Sequence, residues 1–119
     1  AMKNPNIDII SHPTGRILKK RDEYQVDFDK ILRIAKETST ILEINSWPER
    51  LDLNDIKLKK AKEAGVKMVI NTDSHQKEQM RFIELGISQA RRGWAEKDNI
   101  INTKPLKDML NSLKKRFFG

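Results

Sequence analysis

Three short apolar runs, separated by stretches of helical period, constrain this chain more than any other feature. The runs are residues 7–10 (IDII), 41–44 (ILEI) and 66–71 (VKMVIN). Each is too short for a buried helix and reads as a strand. Between the first two, Phe28, Ile31, Leu32 and Ala35 fall at i, i+3, i+4 and i+7. They mark one face of a helix over 27–39 with Asp27 as its cap. Asn54 can cap a second helix running to Ala64, with Leu58 and Ala61 inward and Gly65 as its stop. After the third run, Met80, Ile83, Ile87 and Ala90 predict a helix over 79–92. Gly86 inside it costs helix stability and marks close packing. Ile100 and Ile101 read as a fourth, very short strand. A last helix starts near Pro105, with Thr103 as cap and a stripe of Leu106, Met109, Leu110 and Leu113. Strands that alternate with helices form parallel sheets with helical crossovers, since no tight turn can join parallel neighbours. The expected fold class is α/β, a parallel βαβαβα unit.

The 119 residues suffice for one small domain with a modest core. Ala1 and Met2 read as a scar left by cloning, with the natural domain covering residues 3–119. No repeat, linker or low-complexity tract divides it. No apolar run approaches the length that crosses a bilayer, so a membrane partner is not expected. There is no secretory signal pattern and there are no cysteines. Disulfides and thiolate zinc sites are therefore excluded, and a cytoplasmic location is expected. The formal charge of +7, from 24 basic and 17 acidic residues, favours polyanionic partners. A surface that is simply well solvated explains the same charge. With aromatics at only 6%, no base-stacking platform stands out.

The chain has two histidines, and both follow strands. His12 ends the first apolar run, and Asp73 and His75 follow the third. In parallel α/β folds, functional groups collect where strands end and loops begin. Imidazole and carboxylate are good ligands for zinc or manganese, and Asp-x-His in a loop can aim both at one centre. The same residues are also ordinary turn chemistry, with Asp73 and Ser74 able to bond nearby amides. Two strand-end sites that together hold every histidine tip the balance toward metal. Glu43, a carboxylate inside an apolar strand, needs a partner if buried. Three roles stay open for it: metal ligand, a group that orients a ligand, or half of a buried ion pair. Arg16 and Arg50 sit in strand-end loops and are candidate phosphate contacts, since guanidinium pairs well with phosphate. Arg91 and Arg92, at a helix end, equally serve the helix dipole. Trp47 can stack on a sugar or base or anchor its loop.

Taken together, DIISHPTGR (8–16), LEINSWPERLDL (42–53), INTDSH (70–75) and ARRGW (90–94) resemble the polymerase and histidinol phosphatase (PHP) domain. His-Pro-Thr-Gly-Arg and Arg-Leu-Asp-Leu narrow the resemblance to the PHP domain of prokaryotic family X DNA polymerases. It runs from Asp8 to about Leu113. The resemblance implies a distorted seven-stranded (β/α) barrel that hydrolyses phosphoesters with up to three zinc or manganese ions at the strand ends. It implies His12, Asp73 and His75 as metal ligands. The family's bridging glutamate lies on an earlier strand, so no ligand role passes to Glu43.

The family's opening His-x-His motif, its other upstream histidines and its bridging glutamate have no counterpart here. The resemblance is thus to roughly the C-terminal half of the domain. It implies DNA as substrate, with 3′–5′ exonuclease or related 3′-end hydrolysis. The implied partners are an upstream polymerase core and the other half of the domain. A chain with so few of the ligands is expected to hold metal weakly, to be inactive alone and to self-associate. Two alternatives remain: a non-catalytic scaffold or DNA-binding module of the polymerase, and a small-molecule phosphatase of the same fold.

Overall fold

The computed structural model describes residues 2–11, 13, 14, 27–48 and 51–113. Strands β1 (Ile9–Ile10), β2 (Ile41–Asn45) and β3 (Met68–Asn71) form one parallel sheet in the order β1-β2-β3. Ile9 lies opposite Ile41, Glu43 opposite Val69, and Asn45 opposite Asn71. Helix α1 (Phe28–Thr38) precedes β2 and α2 (Asp55–Glu63) joins β2 to β3. Both helices start where their capping residues predict. Asp27 accepts a hydrogen bond from the Lys30 amide at 3.1 Å, and Asn54 one from the Lys57 amide at 2.8 Å. Each side chain satisfies a first-turn N–H that has no partner inside the helix. Gly65, at φ 75°, turns the chain out of α2 toward β3.

After β3 the expected single helix over 79–92 is divided. A 3-10 helix covers Lys77–Phe82, and α3 covers Ile83–Arg92. Of the face the spacing predicts, Ile83 and Ala90 pack inward but Met80 and Ile87 do not. Met80 is 62% exposed and Ile87 37% exposed, while Gly86, Gln89 and Ala90 are buried. The cause is the approach at Gly86. A Cβ there would sit 2.0 Å from Ser46 Oγ and 2.6 Å from Ile70 Cγ2. The helix turns its smallest residue to the sheet, and Ile87, one residue on, is rotated outward. The close packing expected of Gly86 is therefore present.

Ile100 and Ile101 do not make a fourth strand. Ile100 forms a single parallel bridge with Met68, and Ile101–Thr103 is a turn of 3-10 helix. The side chain of Asn102 substitutes for strand backbone along β3. Its Oδ1 accepts from the Ile70 amide at 2.7 Å, and its Nδ2 donates to the Ile70 carbonyl at 3.0 Å. Helix α4 (Leu106–Asn111) follows Pro105, as expected, but Thr103 does not cap it. The Thr103 hydroxyl instead donates to the carbonyls of Lys97 and Ile100. Of the α4 stripe, Met109 and Leu113 pack inward while Leu106 and Leu110 face outward.

Side chains alternate across the sheet, and the core divides accordingly. On one face Leu42, Ile44, Met68 and Ile70 pack against Phe28, Leu32, Ala35, Leu58, Ala61 and Ala90. Helices α1, α2 and α3 thus all cover the same face. Each fully buried Leu or Ile there contributes about 1.5–3 kcal/mol. On the other face Ile41, Val69 and Ile101 meet Ile9, Met109 and Leu113. Among the described residues, no helix is long and apolar enough to cross a membrane.

Candidate functional site

The second face of the sheet changes character along the strands. It is apolar where they begin, at Ile9, Ile41 and Val69, and polar where they end, at Glu43, Asn45 and Asn71. Glu43 and Asn45 are two residues apart in β2 and therefore share this face. Asn71 follows Val69 onto it from β3.

These groups are joined by hydrogen bonds. Glu43 is only 2% exposed. It accepts from Asn45 Nδ2 at 3.0 Å, from Asn71 Nδ2 at 3.1 Å and from Ser11 Oγ at 3.3 Å. A buried carboxylate needs such donors. Asn45 Nδ2 also donates to Asp73 Oδ2 at 2.7 Å. One amide group thus holds the buried Glu43 and the exposed Asp73 together. Asp73 has φ 53°, a left-handed conformation that Asp tolerates better than most residues. The hydroxyls of Thr72 and Ser74 bond each other across it.

A second buried carboxylate fastens the loops. Asp52 is fully buried and accepts from Thr14 Oγ1 at 2.6 Å and from the Thr14 amide at 3.1 Å. Thr14 lies in the His-Pro-Thr-Gly-Arg motif and Asp52 in Arg-Leu-Asp-Leu, so the two motifs hold each other. The Asn45 amide in turn donates to the Asp52 carbonyl, and Asn45 Oδ1 accepts from the Trp47 amide at 2.9 Å.

Of the residues singled out from the sequence, Asp73 and His75 lie in the loop after β3, both exposed. The His75 amide donates to Gln79 Oε1 at 2.8 Å. Glu43 reaches Asp73 through Asn45. His12, Arg16 and Arg50 lie outside the described residues. Arg91 and Arg92 are exposed in the last turn of α3, where cations favour the helix dipole. Asn45, Asn71 and Asp52 were not singled out, although a signal was there. Both β2 and β3 end in Ile-Asn, and Asp52 stands between two leucines.

A catalytic zinc site takes about three protein ligands. Among the described residues no three His, Asp or Glu side chains gather as a metal-holding group. The oxygens of Glu43 already face amide and hydroxyl donors, chemistry that suits orienting Asn45 better than binding a cation. The described donors Asp73 and His75 therefore fall short of a complete site on their own.

No family model matches the chain. Over 97% of its length it is 44% identical to DNA polymerase/3'-5' exonuclease PolX of Bacillus subtilis (strain 168), covering 20% of that protein. Over its whole length it is 32% identical to a probable phosphatase of Thermoanaerobacter sp. (strain X514), covering 49% of it. Over 63% of its length it is 40% identical to a probable phosphatase of Clostridium acetobutylicum, covering 31% of it. The chain thus spans half or less of the length of each of these relatives. The family resemblance carried by its motifs holds along nearly the entire sequence: the chain matches a fragment of the PHP domain of a family X DNA polymerase.

Proposed function

We propose that the polar end of this sheet is part of a metal-dependent phosphoesterase site that processes DNA 3′ ends, set in a (β/α) barrel. The observation that carries this reading is the Glu43–Asn45–Asp73 chain of hydrogen bonds at the C-terminal ends of parallel strands. Its setting is compatible with a barrel wall in part: α1, α2 and α3 share one face, while on the other Ile101, Met109 and Leu113 cover the apolar start of the strands and leave their polar ends uncovered by this cluster. Similarity to a polymerase/exonuclease and to probable phosphatases supports phosphoester hydrolysis.

In this reading His12, Asp73 and His75 supply ligands for zinc or manganese, and the remaining ligands come from strands beyond this chain. The metal, when bound, supplies an activated water and polarises the phosphoryl oxygen. Glu43 fixes the Asn45 amide, and Asn45 fixes the Asp73 carboxylate. Asp52 holds the loop after β1 against the loop after β2. Arg16 and Arg50 contact flanking phosphates, and the net charge of +7 draws DNA to the surface. The polymerase core that accompanies such a domain delivers the primer end.

The test is Asp73→Asn in the intact protein, assayed on a 3′-labelled oligonucleotide. The amide keeps the size but loses the anionic charge that balances a metal. Hydrolysis is expected to be lost while circular dichroism stays that of the parent; parental rates in a folded variant would overturn the assignment. Asn45→Ala, which removes the hydrogen bond that supports Asp73 together with those to Glu43 and the Trp47 amide, is expected to lower the rate about 10- to 100-fold in protein that remains folded. A second reading, a phosphatase acting on small esters, is favoured by the names of the phosphatase relatives. Faster turnover of p-nitrophenyl phosphate than of oligonucleotide ends would select it.

A further inference from the structure

Beside the polar site lies a small aromatic pocket of about 220 Å³, lined by Trp47, Pro48, Gln79 and Phe82. The Trp47 and Phe82 rings meet edge to face, 5.6 Å between centroids and 88° between planes. Such a pair is a stable right-angled corner, since the positive edge of one ring meets the negative face of the other. Trp47 and Phe82 both stay partly open to solvent, so their rings remain within reach of a ligand.

The pocket is tied to the proposed phosphoesterase site from both sides. The Trp47 amide donates to Asn45, the residue that holds Asp73. From the opposite side Gln79 Oε1 accepts from the His75 amide. Two single hydrogen bonds thus fix the pocket's position relative to Asp73 and His75. At its edge the exposed Arg81 places its guanidinium carbon 5.9 Å from the centroid of the Phe82 ring. A planar apolar corner, an amide and a cation, next to acidic and imidazole groups, match the parts of a nucleotide.

We infer that Trp47, Pro48 and Phe82 form a stacking subsite for the nucleobase of a nucleotide whose phosphate lies toward Asp73 and His75. The inference rests on the phosphoesterase reading for the position of the phosphate, and on the pocket for the base. Stacking on an aromatic ring accepts every base, because each has a π-face. The subsite therefore holds a terminal nucleotide without selecting its identity. Arg81, exposed at the pocket's edge, faces the phosphate of the neighbouring nucleotide.

The probe is the fluorescence of Trp47 in the 119-residue chain carrying Trp94→Phe, which leaves one tryptophan. Trp94 is 70% exposed, so this change leaves the core intact. Thymidine 5′-monophosphate is expected to change the emission saturably, and 2-deoxyribose 5-phosphate to leave it unchanged. Phe82→Leu should weaken the thymidylate response about tenfold, the scale of one lost stacking contact. The indole N–H resonance of Trp47 in the unsubstituted chain gives a second reading that needs no variant. A response to the base-free sugar phosphate equal to that of the nucleotide would overturn the subsite, as would no response to thymidylate in folded protein. Neither outcome depends on hydrolysis. If the intact protein cleaves 3′ ends through Asp73 but the 119-residue chain ignores thymidylate, the subsite is lost and the phosphoesterase reading kept. If the chain binds thymidylate and the intact protein hydrolyses nothing, the reverse holds.

Discussion

Gly86 shows how a single residue sets the distance between helix and sheet. In an isolated helix Gly→Ala is favourable by about 1 kcal/mol. Here the added carbon meets Ser46 Oγ and Ile70 Cγ2 well inside contact distance, and both residues are buried. Overpacking of that kind costs about 1–3 kcal/mol, so it outweighs the propensity gain. Gly86→Ala is expected to lower the urea midpoint, and a stabilised variant would show that α3 can move off the sheet freely. The Ser46 hydroxyl, buried with no hydrogen-bond partner among the described residues, is the side chain nearest to that added carbon. Glu43 offers a second test at this scale. Both of its oxygens accept, so Glu43→Gln sets an amide N–H₂ against that of Asn45 on one side or Asn71 on the other, while the Ser11 hydroxyl can turn to accept. The expected loss is about 1–3 kcal/mol, read by the same denaturation. Parental stability would show that the network tolerates a neutral partner.

At the scale of elements, the parts most legible in the sequence are those decided locally. The caps Asp27 and Asn54, the α1 stripe and the three strands follow from neighbours a few residues apart. Asn54→Ala is therefore expected to cost about 1 kcal/mol, a typical loss for an N-cap. What resisted reading depends on partners distant in sequence. Met80 and Ile87 carry the right spacing for a buried face, but the approach at Gly86 turns them outward. Ile100 and Ile101 look like a strand, but Asn102 binds the β3 edge by its side chain and ends the pairing after one bridge. The site divides in the same way. Asp73, His75 and Glu43 stand out as chemistry in an apolar setting. Asn45, Asn71 and Asp52 matter only because strand register and loop packing bring them to Glu43 and Thr14. Asn102→Ala tests the edge. It removes both bonds to Ile70 and is expected to cost about 1–3 kcal/mol. An unchanged thermal midpoint would mean that other groups cover that edge equally well.

For the molecule as a whole, the sheet ends and the donor set lead to one joint expectation. β3 is covered on its outer side by Ile100 and Asn102, but among the described residues no strand pairs with the outer side of β1. An open edge invites pairing with another chain. Sedimentation velocity should accordingly show association that grows with concentration, and a single monomeric species at high concentration would oppose it. Metal binding should be weak in the same preparation, because Asp73 and His75 are only part of a ligand set. With a dissociation constant of about 1 mM and metal at about 1 mM, linkage gives only about 0.4 kcal/mol of stabilisation. For a domain of this size that raises the thermal midpoint by only about 1.5–2 °C. Zinc or manganese should therefore shift unfolding little, with Asp73→Asn removing what shift there is. A rise of about 10 °C, abolished by Asp73→Asn, would require binding tighter than the described donors provide. It would mean that this chain completes a metal site by itself.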